Sequence, residues 1–493
     1  MNKFISYLNT FSFLIVSYLV ARYIYLAFFI NNYEVLFIDE RIIINDIYNV
    51  WNLDNEFNRY SSIENNFFKN LLLVFTEFSY GGDLRYGRIW SNIFIILLGP
   101  ISFFGDQALI TSVRIFTIFI YFISINLLIN FFLDKKYRWI YNLIFYSIPG
   151  VFYFNTSPKP DIFVILFIAF AIKLLLREQY FKSIIFLGIA TGVKIVGIFP
   201  LIFLTLYLFI NKKLALNPKN IMKSLASSWV GLVIANPILI IPPINVGNLP
   251  NFYSIYYNWL DTQSLVSQNQ RYSIEYFLTW SRTLSSHFSY GLVKNELLSL
   301  LLIFVFFVII FSLINRKDYL IALLSFSGLI HLLFIFISVE RQWKVYLNFS
   351  FILIFIGIIY YILNFTTEPK KMIVIFYFLI IPINFLGVSE RFVNYSTKPS
   401  SDLAIIPEVI DLIEDLYEEK IETKNIVLWD PSYGMPRNNV TYSSFFDVRE
   451  NWDGDELETI LQNSDFYVSK KDITSGNYKV YKIKDFYIYT NNS

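Results

Sequence analysis

Two stretches of the chain, Leu298–Ile314 and Tyr346–Leu363, contain no charged residue. Each approaches the roughly 20 apolar residues that a helix needs to cross a hydrocarbon core about 30 Å thick. A chain carrying such segments folds with a bilayer as part of its solvent. Composition agrees: 55% of residues are hydrophobic and 16% charged, with a mean hydropathy of +0.50, against about 45–50% apolar and about 25% charged in soluble domains. A water-soluble fold of that make-up would aggregate. The net charge of +2, with no basic face or stripe, argues against a nucleic-acid partner. Cysteine is absent and histidine occurs twice, so neither thiolate chemistry nor a histidine metal cluster is expected.

Apolar runs between charged breaks place spans near residues 4–30, 108–133, 138–155, 160–177, 182–196, 197–211, 223–242, 296–314, 319–338, 345–364 and 371–388. That gives about eleven transmembrane helices. The first run lacks a small-residue cleavage site and is too long for a signal-peptide core, so it is read as a retained span. Basic residues concentrate in alternate loops: Lys135-Lys136 with Arg138, Arg177 with Lys182, Lys212-Lys213 with Lys219 and Lys223, Arg316-Lys317, and Lys370-Lys371. By the positive-inside rule these loops and the N-terminus are cytoplasmic. The count requires Ser183–Asn211 to cross twice, with a re-entrant bend at the glycines and lysine of Gly188–Gly197. Such non-helical backbone needs protein or a water-filled cavity around it.

The segment Tyr86–Gly105 is interrupted by Gly99-Pro100 and is read as an interfacial helix. Two long loops, 31–108 and 243–295, then lie on the outer face, where large structured loops usually carry function. Residues 1–388 form the membrane module, and 389–493 change to a soluble α/β pattern. In that tail Ser401–Lys420 and Gly454–Asn463 read as helices, while Asn425–Trp429, Phe466–Val468 and Tyr478–Tyr489 read as strands with a hairpin. With an odd number of spans the tail lies outside.

Three features could carry chemistry. Asp39-Glu40 follows the first span, and ionisable groups at the mouth of a helix bundle are functional candidates. A carboxylate pair supplies a general base with a neighbour that orients it; an ordinary solvated loop would hold the same dipeptide. Ser157-Pro-Lys-Pro-Asp161 opens the span from Ile162. Asp161 there suits the dipole of a first helical turn, so capping and catalysis both account for it. Basic residues gather at the outer boundary: Arg85, Arg88, Arg114, Lys194, and Arg341 with Lys344. Arginine can clamp phosphate bidentately, whereas snorkelling or pairing with Glu340 is the plainer account of each residue alone. Carboxylates and phosphate-sized cation sites on one face are the two features needed for attack by a hydroxyl on a phosphate-activated carbon.

In order and topology, residues 1 to about 388 resemble the GT-C glycosyltransferases, specifically the protein O-mannosyltransferase and aminoarabinose-transferase type that use polyprenyl-phosphate sugar donors. The carriers of the resemblance are Asp39-Glu40 after the first span, Phe104–Arg114 leading into the second, Pro160-Asp161 starting the fourth, the Gly188–Lys194 bend, and Arg341–Tyr346 before a late span. The resemblance implies an inverting transfer with Asp39 as base, Glu40 or Asp161 assisting, and the lipid phosphate held by some of Arg85, Arg88, Arg114, Lys194 and Arg341. Because a lipid monophosphate leaves, basic side chains can neutralise it, and no divalent metal or other cofactor is expected. The family's Lys-Pro-Pro type signature has no match; the corresponding region reads Gly82–Trp90, with Arg85 or Arg88 as substitutes. The implied partners are the lipid-linked sugar, an acceptor glycan, lipid or protein, and membrane lipids; the implied location is a bacterial plasma membrane.

Two other readings compete. A lipid or polysaccharide transporter would show repeat symmetry and midplane polar residues. A polysaccharide polymerase or ligase would carry its principal external loop later in the chain.

Overall fold

A computed structural model of the protein describes residues 2–29, 38–51, 87–148, 151–237, 274–289, 296–338, 345–366, 368 and 371–375, and five strands between 426 and 490. The helices are α1 (Asn2–Phe29), α2 (Ile38–Trp51), α3 (Arg88–Leu98), α4 (Asp106–Phe132), α5 (Arg138–Tyr146), α6 (Val151–Thr156), α7 (Pro160–Leu176), α8 (Tyr180–Val193), α9 (Ile198–Ile210), α10 (Pro218–Ala235), α11 (Ile274–Ser289), α12 (Glu296–Asn315), α13 (Tyr319–Ser338) and α14 (Val345–Phe365). Five segments of the described residues are long and apolar enough to cross a membrane: Lys3–Phe28, Gln107–Phe132, Glu296–Asn315, Tyr319–Ile337 and Tyr346–Phe365. On α12, Leu297, Leu301, Phe304, Val308 and Phe311 are exposed along one helical row. In water such a stripe would drive aggregation. The chain is a helical membrane protein, and an apolar row of this kind suits a lipid-facing helix side.

The remaining expected spans are shorter. The stretch 138–155 is divided between α5 and α6, because α5 ends at Tyr146, ahead of Pro149, and a proline disfavours helix at the residue before it. The expected span 371–388 lies mostly outside the described residues. Gly99-Pro100 does interrupt its segment: α3 gives way there to a 3-10 turn, Gly99–Phe104.

Contacts divide the chain into two units. The first holds Met1–Ala27, Leu72–Ile96 and Val113–Glu390; the second holds Phe28–Leu71, Leu97–Ser112 and Arg391–Ser493. In the first, α1 and α5 run side by side, and the Asn9 side chain accepts the backbone N–H groups of Trp139 and Ile140. Those donors belong to the first turn of α5, which has no intrahelical partner for them. Asn126 and Asn142 exchange hydrogen bonds at 3.0–3.1 Å between α4 and α5. Helices α7 and α8 are antiparallel, fixed by the Ser183 hydroxyl donating to the Ala171 carbonyl at 2.8 Å.

Helix α9 folds back along α8. Gly197 sits against the Ala190–Thr191 backbone at one end, and Leu208 packs with Ile184 at the other. The chain thus reverses where the sequence places a bend, but the glycines do something else. A Cβ at Gly188 would overlap the Ser228 carbonyl oxygen, one at Gly231 the Ile185 carbonyl oxygen, and one at Gly192 would press on Ala235. Gly188 and Gly192 on α8 and Gly231 and Ala235 on α10 are two small-residue pairs, each spaced by four, that let parallel helices touch through their backbones. The reversal itself falls at Lys194, whose extended backbone (φ −154°, ψ 140°) ends α8.

Helix α13 runs antiparallel to α14, with Ser325 donating to the Leu353 carbonyl, and to α9 through Phe199–Phe334 and Phe203–Phe326 ring contacts. The tight turns α7–α8, α9–α10 and α12–α13 each hold a charged residue at positive φ: Glu178, Lys212 and Lys317. Glycine would adopt that conformation more easily.

In the second unit, α2 packs on the 3-10 turn, with Trp51 and Phe103 ring centroids 6.4 Å apart. Its strands are β1 (Ile426–Leu428), β2 (Val440–Tyr442), β3 (Phe466–Ser469), β4 (Lys479–Ile483) and β5 (Phe486–Thr490), in the order β2-β1-β3-β5-β4. β1 is parallel to β2 and β3, while β5 runs antiparallel between β3 and β4. The strand at Val440–Tyr442 was not expected from sequence. The expected helices Ser401–Lys420 and Gly454–Asn463 lie outside the described residues.

Gly231→Val should force α10 away from α8 and lower stability by about 1–3 kcal/mol, the usual range for overpacking. Thermal unfolding in detergent micelles measures it; an unchanged midpoint would exclude the close helix contact.

Candidate functional site

Pro160 starts α7 with the fixed φ of a first helical position, and Asp161 follows in the first turn, where the helix dipole favours a carboxylate. Lys194 stands at the C-terminal end of α8, the end that favours a cation. Antiparallel packing of the two helices brings these ends together. Lys194 Nζ lies 2.8 Å from Asp161 Oδ2, with side-chain exposures of 7% and 6%. Both charges are therefore removed from water, and each compensates the desolvation of the other. On its other side Lys194 faces the Tyr346 ring at 5.5 Å, a cation–π distance.

The C-terminal carbonyls of α8 also anchor their neighbours. Gly87 donates its backbone N–H to Val193 O at 3.1 Å, and Asn236 donates its side-chain N–H to Gly192 O at 2.9 Å. A Cβ on Gly87 would overlap the Gly192 carbonyl oxygen, so this approach requires glycine. It places Arg88, the first residue of α3 and 4% exposed, beside the α8 terminus. Aromatic contacts hold α3 in place: Phe94 meets Phe163 of α7 at 5.6 Å and Phe116 of α4 at 5.2 Å, and Trp90 meets Phe163 at 6.4 Å. Arg114 is buried in α4, two residues before Phe116.

Below the ion pair, the His331 ring of α13 shares a 2.8 Å hydrogen bond with the Ser350 hydroxyl of α14. It packs between Phe199 at 5.6 Å and Phe349 at 5.1 Å. Tyr346 and Ser350 are four residues apart, on one face of α14. A single helix side thus faces Lys194 and His331.

Of the residues singled out in the sequence, Asp161, Lys194, Arg88 and Arg114 are buried in the first unit, and the first two contact each other directly. Asp39 and Glu40 are the second and third residues of α2, in the second unit. They open a helix rather than lie in a loop, at the end whose dipole favours carboxylates. Arg85, Arg341 and Lys344 lie outside the described residues. Sequence reasoning missed His331 beside this site and had Tyr346 only as the end of the Arg341–Tyr346 motif, not as a partner of Lys194; in the second unit it passed over Asp46, a fully buried carboxylate two turns beyond Asp39 in α2. A histidine inside an otherwise uncharged span was the available signal for His331. Among the described residues no group of three or more acidic or histidine side chains could hold a metal ion.

Comparison with protein-family models, with curated proteins and with solved structures found no match to this chain.

Asp161→Asn should strand Lys194 as a buried charge and cost about 3–5 kcal/mol, and Lys194→Met should cost about as much in reverse. The double variant Asp161→Leu/Lys194→Met should recover most of the loss. Additive losses in thermal unfolding would mean that the two charges are not coupled.

Proposed function

We propose that the protein is a membrane glycosyltransferase that moves a sugar from a polyprenyl-phosphate donor to an acceptor at the outer face of a bacterial plasma membrane. The observation that carries the reading is the buried Asp161–Lys194 pair, with the Tyr346 ring over the ammonium and buried Arg88 opening the helix that Gly87 ties to the end of α8. Ionisable residues inside a helical membrane bundle are rare and mark substrate paths by default. The sequence resemblance supports the same reaction class.

In this reading an acceptor hydroxyl loses its proton to the Asp39 carboxylate, with Glu40 assisting, and its oxygen attacks the anomeric carbon from the side opposite the phosphate. The bond from that carbon to the phosphate oxygen breaks. Polyprenyl phosphate leaves with the electron pair, and the anomeric configuration inverts. Guanidinium groups such as Arg88 and Arg114, with Arg85 and Arg341 as further candidates, stabilise the developing phosphate charge through charge-assisted hydrogen bonds. The pairing of Lys194 with Asp161 gives these two a positioning role: they hold the α8–α9 reversal to the start of α7. The leaving group then needs no divalent ion.

Eleven spans, a cytoplasmic N-terminus and an external tail complete the proposal. The turns carrying Arg177, Lys212-Lys213 and Arg316-Lys317 join helices at the end opposite the Asp161–Lys194 pair, as the positive-inside rule requires if that pair faces outward.

A second reading, transport of a lipid or polysaccharide, draws on His331, which is buried within α13. Flux without bond cleavage distinguishes it.

Asp39→Asn should lower transfer from a polyprenyl-phosphate sugar by about 100-fold or more, the usual weight of a general base, with donor binding retained; full activity would remove Asp39 from the role. The chain contains no cysteine, so single introduced cysteines can be labelled without background. Lys213→Cys and Lys317→Cys should react with an impermeant maleimide only after the membrane is opened, and Asn251→Cys and Asn491→Cys in intact cells. Labelling of position 491 only after opening would remove an odd number of spans from the proposal.

A further inference from the structure

Residues 179–260 contain six lysines and no aspartate or glutamate. One of the six, Lys194, is answered by Asp161. The other five, Lys182, Lys212, Lys213, Lys219 and Lys223, are exposed, and none of them pairs with a carboxylate among the described residues. They gather at one end of the larger unit. Helices α8 and α10 are parallel, so Lys182 in the first turn of α8 and Lys219 in the first turn of α10 lie at the same end, and α9 finishes there just before Lys212. Packing joins the three helices. Leu214, in the α9–α10 turn, clusters with Ile184 and Leu208, Phe181 packs against that cluster, and Lys223 Nζ reaches across to the Phe181 ring at 5.6 Å.

Neither α8 nor α10 has an acidic residue in its first turn. The helix dipole disfavours cations there, so helix stability does not account for these lysines. The positive-inside rule asks for basic residues near this end, but not for their arrangement. Lys219, Met222, Lys223, Ala226, Trp229 and Val230 are all exposed and are related by steps of three and four residues, which sets them along one side of α10. The other side carries Gly231 and Ala235, which meet α8. The outward side is therefore cationic over its first two turns and apolar beyond them, the same division that a charged lipid has along its length.

We infer that this side of α10, with Lys182 and the Lys212-Lys213 turn beside it, binds an anionic phospholipid of the surrounding bilayer. The lysines hold the phosphate diester, and Met222, Trp229 and Val230 lie along an acyl chain. Trp229 is about 9 Å along the helix axis from Lys223, at a rise of about 1.5 Å per residue, within the reach of a chain whose phosphate sits at the lysines. Clustered basic residues at a membrane surface favour anionic headgroups, whereas a zwitterionic headgroup brings a cation of its own to the lysines. A free phosphate would meet the lysines and leave the apolar part of the side uncovered.

The test is quenching of tryptophan fluorescence in the full-length protein, held in phosphatidylcholine nanodiscs that present both membrane faces. A minor fraction of the lipid is replaced by phosphatidylglycerol or phosphatidylcholine with brominated acyl chains. Brominated phosphatidylglycerol should quench at about fivefold lower mole fraction than brominated phosphatidylcholine, and raised salt should remove most of that difference. Trp229→Phe should abolish the extra quenching. Lys219→Gln/Lys223→Gln should reduce the preference to about twofold or less, and Lys219→Arg/Lys223→Arg should keep it. Lys371→Gln, which removes a charge already answered by Glu368, should leave it unchanged. If the first glutamine pair fails to fold, Lys182→Gln/Lys213→Gln carries the same expectation. Equal quenching by the two lipids in the wild type overturns the inference. So does a preference that survives Trp229→Phe or the glutamine pair, or one that Lys371→Gln reduces as much. Loss of the preference on adding inorganic phosphate at constant ionic strength overturns it too, by making the occupant a soluble anion. No sugar lipid takes part, so glycosyl transfer and this site can fail separately.

Discussion

The ion pair between Asp161 and Lys194 sits where the chain of the larger unit changes direction, and the arrangement around it follows from the cost of burying charge. A lone carboxylate or ammonium inside a bundle coated by apolar side chains would be strongly unfavourable, so each group has to find the other. Helix ends assist both, because Asp161 occupies the positive end of α7 and Lys194 the negative end of α8. The pair sets the register of the two antiparallel helices and determines where α9 begins. Tyr346 covers the ammonium, and Gly87 caps a carbonyl one residue before Lys194. Through Gly87 the same junction positions Arg88.

Away from that junction, packing follows the rules of a lipid solvent. Lipid tails are as apolar as leucine, so helices do not associate in order to hide hydrophobic surface. Close backbone contact has to supply the attraction, and the α8–α10 contact at Gly188, Gly192, Gly231 and Ala235 does so. Helix α12, by contrast, exposes its large side chains along one row. The same residue types thus pack inward on α7 and outward on α12, and the difference depends on position in the bundle.

For function, the consequence is a division of labour among the ionisable groups. Asp161 and Lys194 answer each other's charge and so act as architecture at the site, while the carboxylates that could serve as base belong to α2. The proposed reaction assigns the phosphate to the buried guanidinium groups of Arg88 and Arg114.

Much of this architecture was legible in the sequence because its causes are local. Long uncharged runs such as Leu298–Ile314 can only be helices in lipid, Pro160 fixes a helix start, and Gly99-Pro100 interrupts one. The strands at 426–428 and 466–469 follow from their short apolar runs. Other features depend on which helices become neighbours, and no local pattern encodes that. The glycines of Gly188–Gly192 read as a bend until α10 is placed against them. Asp161 and Lys194 read as separate candidates, an acid and a phosphate ligand, and only antiparallel packing brings them 2.8 Å apart. His331 looked like an ordinary member of an apolar span, because a helical face has no meaning until its partner is known. The sequence by itself determined that the chain lies in a membrane as helices, since transfer of apolar side chains from water is additive along the chain. Only the tertiary structure decided which charges meet, because an ion pair forms between residues 33 positions apart and its energy depends on a distance that the sequence does not contain.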